Sequence, residues 1–582
     1  MSNASPALHS SSWSSSTTGL LTRDHHLTVP LDRSGQGDSA PDGTESITVY
    51  AREISAVGID PVSRPPLVFL QGGPGCEAPR PSADSGLGWI GEILEHHRLI
   101  LVDQRGTGAS SPVDRPDAAG TPADTARLLT HLRADEIVED CEDLRRALGL
   151  ERWSLLGQSF GGFCVTRYLS EHAQSLEKVY ITGGLPAVGH SIDEVYALSY
   201  EAMRLKSEEY YARFPQDRDR MASLAEKAGR GELRAAGGDV VGPERLRSLG
   251  ALLGGAGGAD TIHYLLERGP DSWAFRYDLG QCLPFGGRFP LYAVIHESCW
   301  ADAGTTDWAA QRVRPAIFDD DPTLLTGEHV RREAFVEDAG LRPWLEVADL
   351  LAAQEWPALY DPARLKAAKT PGAAAVYARD VFVPMTTSLE TAALIPGLRT
   401  WITSEYEHDG SRASGGRVFK RLRDLAAGVM YSTDRYYIGL ASTHLTAPTL
   451  QLNDNFGRKV MREYNLMAGY NIALRNPLVE LRPSLLVRSD LHMSVGDVTL
   501  RAIYKKMFNG GLGVRVTDSG TTNGILYLGA DIAGFRVSYA YEYPFSALSR
   551  TTFGSHEAVV TYRLQLNLPK GGRNRHKSIR IL

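Results

Sequence analysis

From residue 47 onward, short apolar runs alternate with longer amphipathic stretches. "ITVYAREI" (47–54), "PPLVFLQGGPG" (65–75), "HRLILVDQRGTG" (97–108), "WSLLGQSFGG" (153–162) and "LEKVYITGGL" (176–185) predict strands, and "ADEIVEDCEDLRRALG" (134–149) predicts a helix. Strands separated by helices imply a mostly parallel sheet covered on both faces. Residues 188–370 are mainly helical by pattern and read as an inserted cap. Within it, a Gly/Ala-rich interruption from 228 to 260, including "GRGELRAAGGDVVG" and "GALLGGAGGAD", reads as loop rather than helix interior. "AAAVYARDVFVP" (373–384) and "LRTWITSEYEHDG" (398–410) return to strands, and "GRVFKRLRDLAAG" (416–428) reads as a closing helix capped by Gly428.

Beyond Gly428 the period changes. In "FRVSYAYEY", Phe535, Val537, Tyr539, Tyr541 and Tyr543 share one face, while Arg536, Ser538, Ala540 and Glu542 share the other. "EAVVTYRLQLNL" (557–568) repeats the pattern, predicting an antiparallel sheet of six to eight strands. This part of the chain holds 11 of the 24 tyrosines. Apolar-out, polar-in alternation with aromatic enrichment suits an outer-membrane wall and also a half-buried soluble sheet.

Charge divides at the same point. Residues 429–582 carry 19 Lys+Arg against 10 Asp+Glu, a net of +9, so residues 1–428 carry 43 against 59, a net of −16. A total of −7 does not point to a nucleic-acid partner, and the basic end "KGGRNRHKSIRIL" (570–582) reads as a solvated tail. Cys76, Cys141, Cys164, Cys282 and Cys299 form no CxxC pair, so neither a disulfide framework nor a zinc site is expected. The Ser/Thr-rich start (1–20) has no apolar stretch of the kind a secretory signal needs; it is expected to be disordered, and the protein to be cytoplasmic.

Gly157-Gln158-Ser159-Phe160-Gly161 has the spacing of a nucleophile elbow, after a strand and before a helix. A serine nucleophile needs a histidine base oriented by a carboxylate, in the chain order Ser, acid, His. Asp380 and His408 keep that order, and each follows a predicted strand at the carboxyl edge of the sheet. An oxyanion needs preorganised N–H donors. Gly73, in "QGGPG", and Phe160 are the candidates, Pro74 having no N–H. Cys76 reads as an inert small hydrophobe.

"FLQGGPG", "LVDQRGTGAS", "GQSFGG", "HES" (296–298) and "EYEHDG", in that order, resemble the proline iminopeptidase (prolyl aminopeptidase) family of α/β-hydrolases. The resemblance implies an α/β-hydrolase fold with a helical cap over residues 21–428 (core 21–187 and 371–428, cap 188–370). It also implies a cofactor-free, metal-free serine peptidase with Ser159, Asp380 and His408 as its triad. Its partners would be short peptides with a free N-terminus, and the cap glutamates Glu297 and, second, Glu328 would hold the substrate ammonium. Asp103 and Arg105 would pair to brace a loop beside the site. Residues 429–569 resemble the C-terminal part of PorP/SprF-type membrane proteins of type IX secretion, through "YYIGLASTHL", "AGYNIAL", "LRPSLLVR" and "GSHEAVVTYRLQL". An incomplete barrel leaves edges that lipid cannot satisfy, so this part is not expected to span a membrane alone. Two alternatives stay open: an esterase or broader aminopeptidase with the same triad, and a membrane-associated secretion component whose hydrolase half is inert.

Overall fold

The structure is a computed structural model. It describes residues 7–15, 19–33, 45–81, 87–285, 287–423, 427–433, 435–443, 449–453, 456–459, 461–505, 507–518, 520, 522–532, 535–545, 549 and 552–562. The chain forms two compact units, 1–422 and 423–582.

Ten strands of the first unit form one sheet: β1 (Leu8–Ser10), β2 (Ser14–Ser15), β3 (Leu20–Pro30), β4 (Ser46–Ala56), β5 (Pro66–Leu70), β6 (Arg98–Val102), β7 (Trp153–Gln158), β8 (Leu176–Thr182), β9 (Gly372–Tyr377) and β10 (Leu398–Thr403). Their order is β1-β3-β4-β6-β5-β7-β8-β9-β10, with β2 beside β3. The sheet is parallel from β6 through β10, and β1 to β4 add antiparallel strands at one end. The predicted parallel core is therefore present. Strand alternation feeds two apolar layers. Val68, Leu70, Ile100 and Val102 pack on one face with Phe163, Val165 and Leu169 of the helix Phe160–His172. Leu67, Phe69, Leu99 and Leu101 pack on the other with Val418, Phe419 and Leu422 of the helix Arg417–Arg423. The chain leaves β5 toward β6 on one side and returns to β7 on the other. This opens a crevice at the carboxyl ends of β5 and β7, where ligands settle in open α/β sheets.

Three expectations are corrected. The start of the chain is not disordered at residues 8–10 and 14–15, because these segments pair with β3 and satisfy its outer edge. The Gly/Ala-rich stretch is only partly loop. Residues Pro243–Arg247, Ser248–Gly254 and Gly258–Leu266 are helical, held by Leu246, Leu249, Leu253 and Ile262 in the core of the cap. Gly428 does not cap the closing helix, which is described as far as Arg423; it lies in β11 (Ala427–Ser432) and pairs with Ala441.

Among the described residues, every strand pairing in the second unit is antiparallel. β11, β12 (Tyr436–Thr443), β15 (Glu463–Tyr470), β16 (Ile472–Ala473), β17 (Val479–Ser489), β18 (Ser494–Tyr504), β19 (Phe508–Thr517), β20 (Thr522–Ile532), β21 (Phe535–Pro544) and β22 (Ser555–Tyr562) make one ten-stranded sheet. β13 (Thr449–Asn453) and β14 (Phe456–Lys459) pair separately. The expected six to eight strands undercount it, because Gly-containing strands such as "FNGGLGVRVT" read as loop. No pairing closes β11 onto β22 among the described residues. In register, Pro483, Leu500, Leu512, Leu526 and Tyr541 cross one face, with Leu485, Val498 and Val514 beside them. The other face carries Asp497, Arg515 and Asn523, and Arg515 bonds Asp497 at 2.6 Å and Glu542 at 2.8 Å. The apolar face is the exposed one: Leu512 is 69% exposed, whereas Asp497 is 8% exposed. The alternation foreseen for "FRVSYAYEY" is present in β21; residues 563–582 lie outside the described residues.

Leu101 sits fully buried in the central strands of the first unit. Leu101→Ala is expected to destabilise that unit by about 2–5 kcal/mol, read as a lower urea midpoint of its unfolding transition at an unchanged slope.

Candidate active site

The elbow begins with packing. A Cβ on Gly161 would lie 1.9 Å from the Leu70 carbonyl oxygen, and one on Gly157 would lie 2.3 Å from the Gly161 oxygen. Only hydrogen fits at either position, so β5, β7 and the helix Phe160–His172 press together and the chain between them turns sharply. Ser159 takes up the turn with φ 53° and ψ −126°, a conformation disfavoured for a residue with a side chain. Its N–H donates to the Thr182 carbonyl at 3.0 Å.

Asp380 and His408 meet as expected: His408 Nδ1 lies 2.8 Å from Asp380 Oδ2. Asp380 Oδ1 accepts the amides of Phe382 and Val383 at 2.9 and 3.0 Å, which fixes the carboxylate. The Phe382 ring meets the His408 ring edge to face at 5.0 Å. Both ends of the proposed triad pack against the residues after β8. A Cβ on Gly183 would lie 3.1 Å from His408 Nδ1, and one on Gly184 would lie 2.3 Å from the Ser159 oxygen. Burial disfavours the His408 imidazolium, but the charge of Asp380 and its hydrogen bond outweigh that and raise the pKa above the ordinary histidine value.

The oxyanion candidates flank the serine. Phe160 opens the helix after Ser159, so its N–H is one of the first four amides that have no intrahelical acceptor. The "QGGPG" loop runs against the elbow: a Cβ on Gly72 would lie 2.8 Å from Ser159 Cβ, and Gly73 has φ 130°. Gln104 holds this loop by donating to the Gln71 carbonyl at 2.9 Å. Asp103 and Arg105 do not pair with each other. Asp103 accepts from Arg80, while Arg105 donates to Asp140 and to the carbonyls of Leu31 and His131, so each braces a different segment. Cys76 is half-buried with its thiol pushed up to about 12, mainly by burial, so it stays protonated.

A cleft of about 560 Å³ opens at His408, lined among others by Gln158, Tyr292, Glu328, Phe382 and Arg412. That volume is typical of small-molecule sites. The two cap glutamates, expected in the order Glu297 then Glu328, lie in different surroundings. Glu297 is not among the residues lining the cleft; its carboxylate accepts the amides of Ala309 and Ala310 at 3.2 and 2.9 Å, at the start of the helix Ala309–Arg312. Glu328 does line the cleft and accepts from the Tyr292 hydroxyl. Burial pushes Glu328 up to about 7, the nearby His408 working against that shift. Tyr292 in the cap and Phe382 in the loop after β9 escaped the sequence reading, since an aromatic residue is more often core than cleft.

The cap also grips the loops that carry the acid and the base. The helix Ile192–Arg213 sends Lys206 Nζ to Glu407 Oε1 at 2.6 Å and Glu209 to Arg379. These partners are the residues immediately before His408 and Asp380. The His408 N–H donates to the Gly254 carbonyl at 3.0 Å, and Asp409 accepts the Ala256 amide at 3.0 Å. Two triplets of metal-ligand type, Asp32/His131/Glu136 and Glu92/Glu95/His96, lie outside the cleft lining, and Glu136 is already engaged by Arg33.

Comparison with known proteins finds two families in different parts of the chain, the second match beginning at residue 402, before the boundary between the units. Residues 65–230 match the α/β hydrolase fold family, and residues 402–562 match the family described as type IX secretion system membrane protein PorP/SprF. A proline iminopeptidase of Aeromonas sobria is 39% identical over 419 residues, covering 69% of this chain and 96% of that protein. Proline iminopeptidase aneH of Aspergillus aculeatus is 30% identical over 431 residues, covering 69% of this chain and 92% of its own.

In a double-mutant cycle, Lys206→Met, Glu407→Gln and their combination are expected to give a coupling of about 0.5–3 kcal/mol in hydrolytic rate. Kinetics of the folded variants at saturating substrate check this; additive effects would show that the pair does not act on the base loop as a unit.

Proposed function

Because the chain belongs to the proline iminopeptidase family of α/β-hydrolases, we propose that it releases an N-terminal residue, proline first, from short peptides with a free amino terminus. Ser159 attacks the carbonyl of that residue. His408, oriented by Asp380, takes the serine proton and returns it to the leaving amine. The amides of Gly73 and Phe160 receive the oxyanion charge, and water then releases the acyl group from the serine.

Glu328 is the observation that carries the exopeptidase reading. A mostly buried carboxylate that lines the cleft beside the base is the partner a substrate ammonium requires, and its pairing with that charge admits only the first residue to the serine. Glu297 then serves the cap rather than the substrate, by holding the start of the helix Ala309–Arg312. An esterase or a broader aminopeptidase would use the same triad; acetyl-capped substrates separate the first from our reading, and alanyl against prolyl substrates separate the second.

For the second unit we favour a membrane-facing sheet that needs a partner at its edges. Its apolar face is exposed while its ion pairs lie on the more enclosed face, as lipid requires. The hydrolase unit, with five free cysteines, is assigned to the cytoplasm. Fractionation of the full chain tests the sheet, since activity recovered wholly in the membrane-free supernatant would leave a membrane-facing sheet without support.

Ser159→Ala should lower kcat by roughly 10³-fold or more on a prolyl chromogenic amide, with the fold retained by circular dichroism. Glu328→Gln should reduce kcat/KM for free-amino substrates by about 10- to 100-fold. The base must be neutral and Glu328 ionised, so activity rises with pH through two linked steps, one of them near 7. The charge of Glu328 contributes to raising His408, so in Glu328→Gln the remaining acid limb should be less steep and lie at lower pH. A pH profile of kcat/KM tests this, and an unmoved limb would separate Glu328 from the base.

A further inference from the structure

We propose that an exposed aromatic ridge on the cap is a subsite for apolar side chains of the peptide several residues beyond the scissile bond. This deepens, and rests on, the aminopeptidase reading of the cleft. The ridge lies on two cap helices, Gly258–Leu266 and Trp273–Cys282. Their inner sides supply Ile262, Leu265, Phe275 and Leu279 to the core of the cap. Their outer sides carry Tyr264, Trp273 and Tyr277, exposed by 58%, 69% and 53%. Single apolar residues scattered on a surface need no explanation, but three large aromatics on adjacent packed helices form a patch.

The same two helices reach the catalytic cleft. Thr261 of the first lines it, as do Gln281 and Cys282 of the second, followed by Leu283 and Pro284. Trp273, Tyr277 and Gln281 recur every four residues and so form one ridge whose C-terminal end is the cleft wall. Tyr264 stands one turn from Thr261. The occupant follows from this continuity: a chain whose first residue lies at Ser159 leaves the cleft past Gln281 and runs along the ridge. Eight helical residues at 1.5 Å each separate Gln281 from Trp273 by about 12 Å. An extended peptide covers that distance in roughly three to four residues at 3.3–3.6 Å each. The flanks are polar, with Arg268 bonded to Asp278 and Lys227 to Asp271, which leaves the aromatic faces as the apolar track. Aromatic rings favour proline, aliphatic and aromatic side chains.

The test uses the full chain and three substrates: prolyl-p-nitroanilide, Pro-Ala-Ala-Ala-Phe and Pro-Ala-Ala-Ala-Ser. In Trp273→Ala and Tyr277→Ala, kcat/KM for the phenylalanine peptide should fall about fivefold or more, mainly through KM. The serine peptide and the anilide should change less than twofold, and Trp273→Phe should restore most of the loss. Equal cleavage of all three substrates by variants and parent, or a parallel fall on the anilide, would overturn the subsite. The anilide keeps the two ideas distinguishable: its cleavage by the parent upholds the aminopeptidase reading even where the ridge variants show no length dependence.

Discussion

The structure of the candidate site depends on one close approach, that of the helix Phe160–His172 to the carboxyl end of β5. Gly161 lies so near the Leu70 carbonyl that no side chain fits, and Gly162 is packed just as tightly against the Gly184 carbonyl, where a Cβ would come within 2.3 Å. These contacts leave Ser159 no room for an ordinary turn, and its positive φ is the result. Strain of this kind costs on the order of 1–3 kcal/mol and persists only where its surroundings enforce it. Here the two covered faces of the sheet supply that enforcement, through Val68, Leu70 and Ile100 on one side and Phe69, Leu99 and Leu101 on the other.

The cap is more than a cover. His408 donates its own N–H to Gly254 of the cap, and Lys206 and Glu209 of the cap bond the residues preceding the base and the acid. A cap tied in this way to the base loop restricts how far the loop can move without its partner. The cleft is accordingly walled by both parts of the unit: Gln158 and His408 from the core, Tyr292, Glu328 and Gln281 from the cap.

Much of this was legible in the sequence because it follows from local rules. The period of "PPLVFLQ" and "WSLLGQ", the small residues around Ser159, and the positions of Asp380 and His408 after strands each carry a local signal, and together they located the fold and the 2.8 Å contact between His408 and Asp380. What was not legible depends on tertiary partners. Glu297 and Glu328 are both cap glutamates in mixed surroundings, and only the fold decides which is taken up by the backbone of Ala309 and Ala310 and which enters the cleft. The same holds for Asp103 and Arg105, which are near in sequence but find Arg80 and Asp140 as partners. Lys206 had no local signal at all, since a lysine on an amphipathic helix reads as solvated until the fold supplies Glu407.

The second unit obeys the opposite rule of burial, and this argues for a different surrounding rather than for a poorly made sheet. A soluble sheet hides its apolar face, yet here Val498, Leu500, Leu512 and Val514 are exposed while Asp497 is buried and bonded to Arg515. Turning that face into water costs roughly 25 cal/mol for each Å² of apolar surface left uncovered. The cost recurs across strands of eight to eleven residues, which are close to the length that crosses a bilayer when tilted. Lipid would relieve the face but not the outer edges of β11 and β22, which have no strand beside them among the described residues, because hydrocarbon cannot satisfy backbone groups. A cover for the face and a strand for each edge are therefore separate requirements.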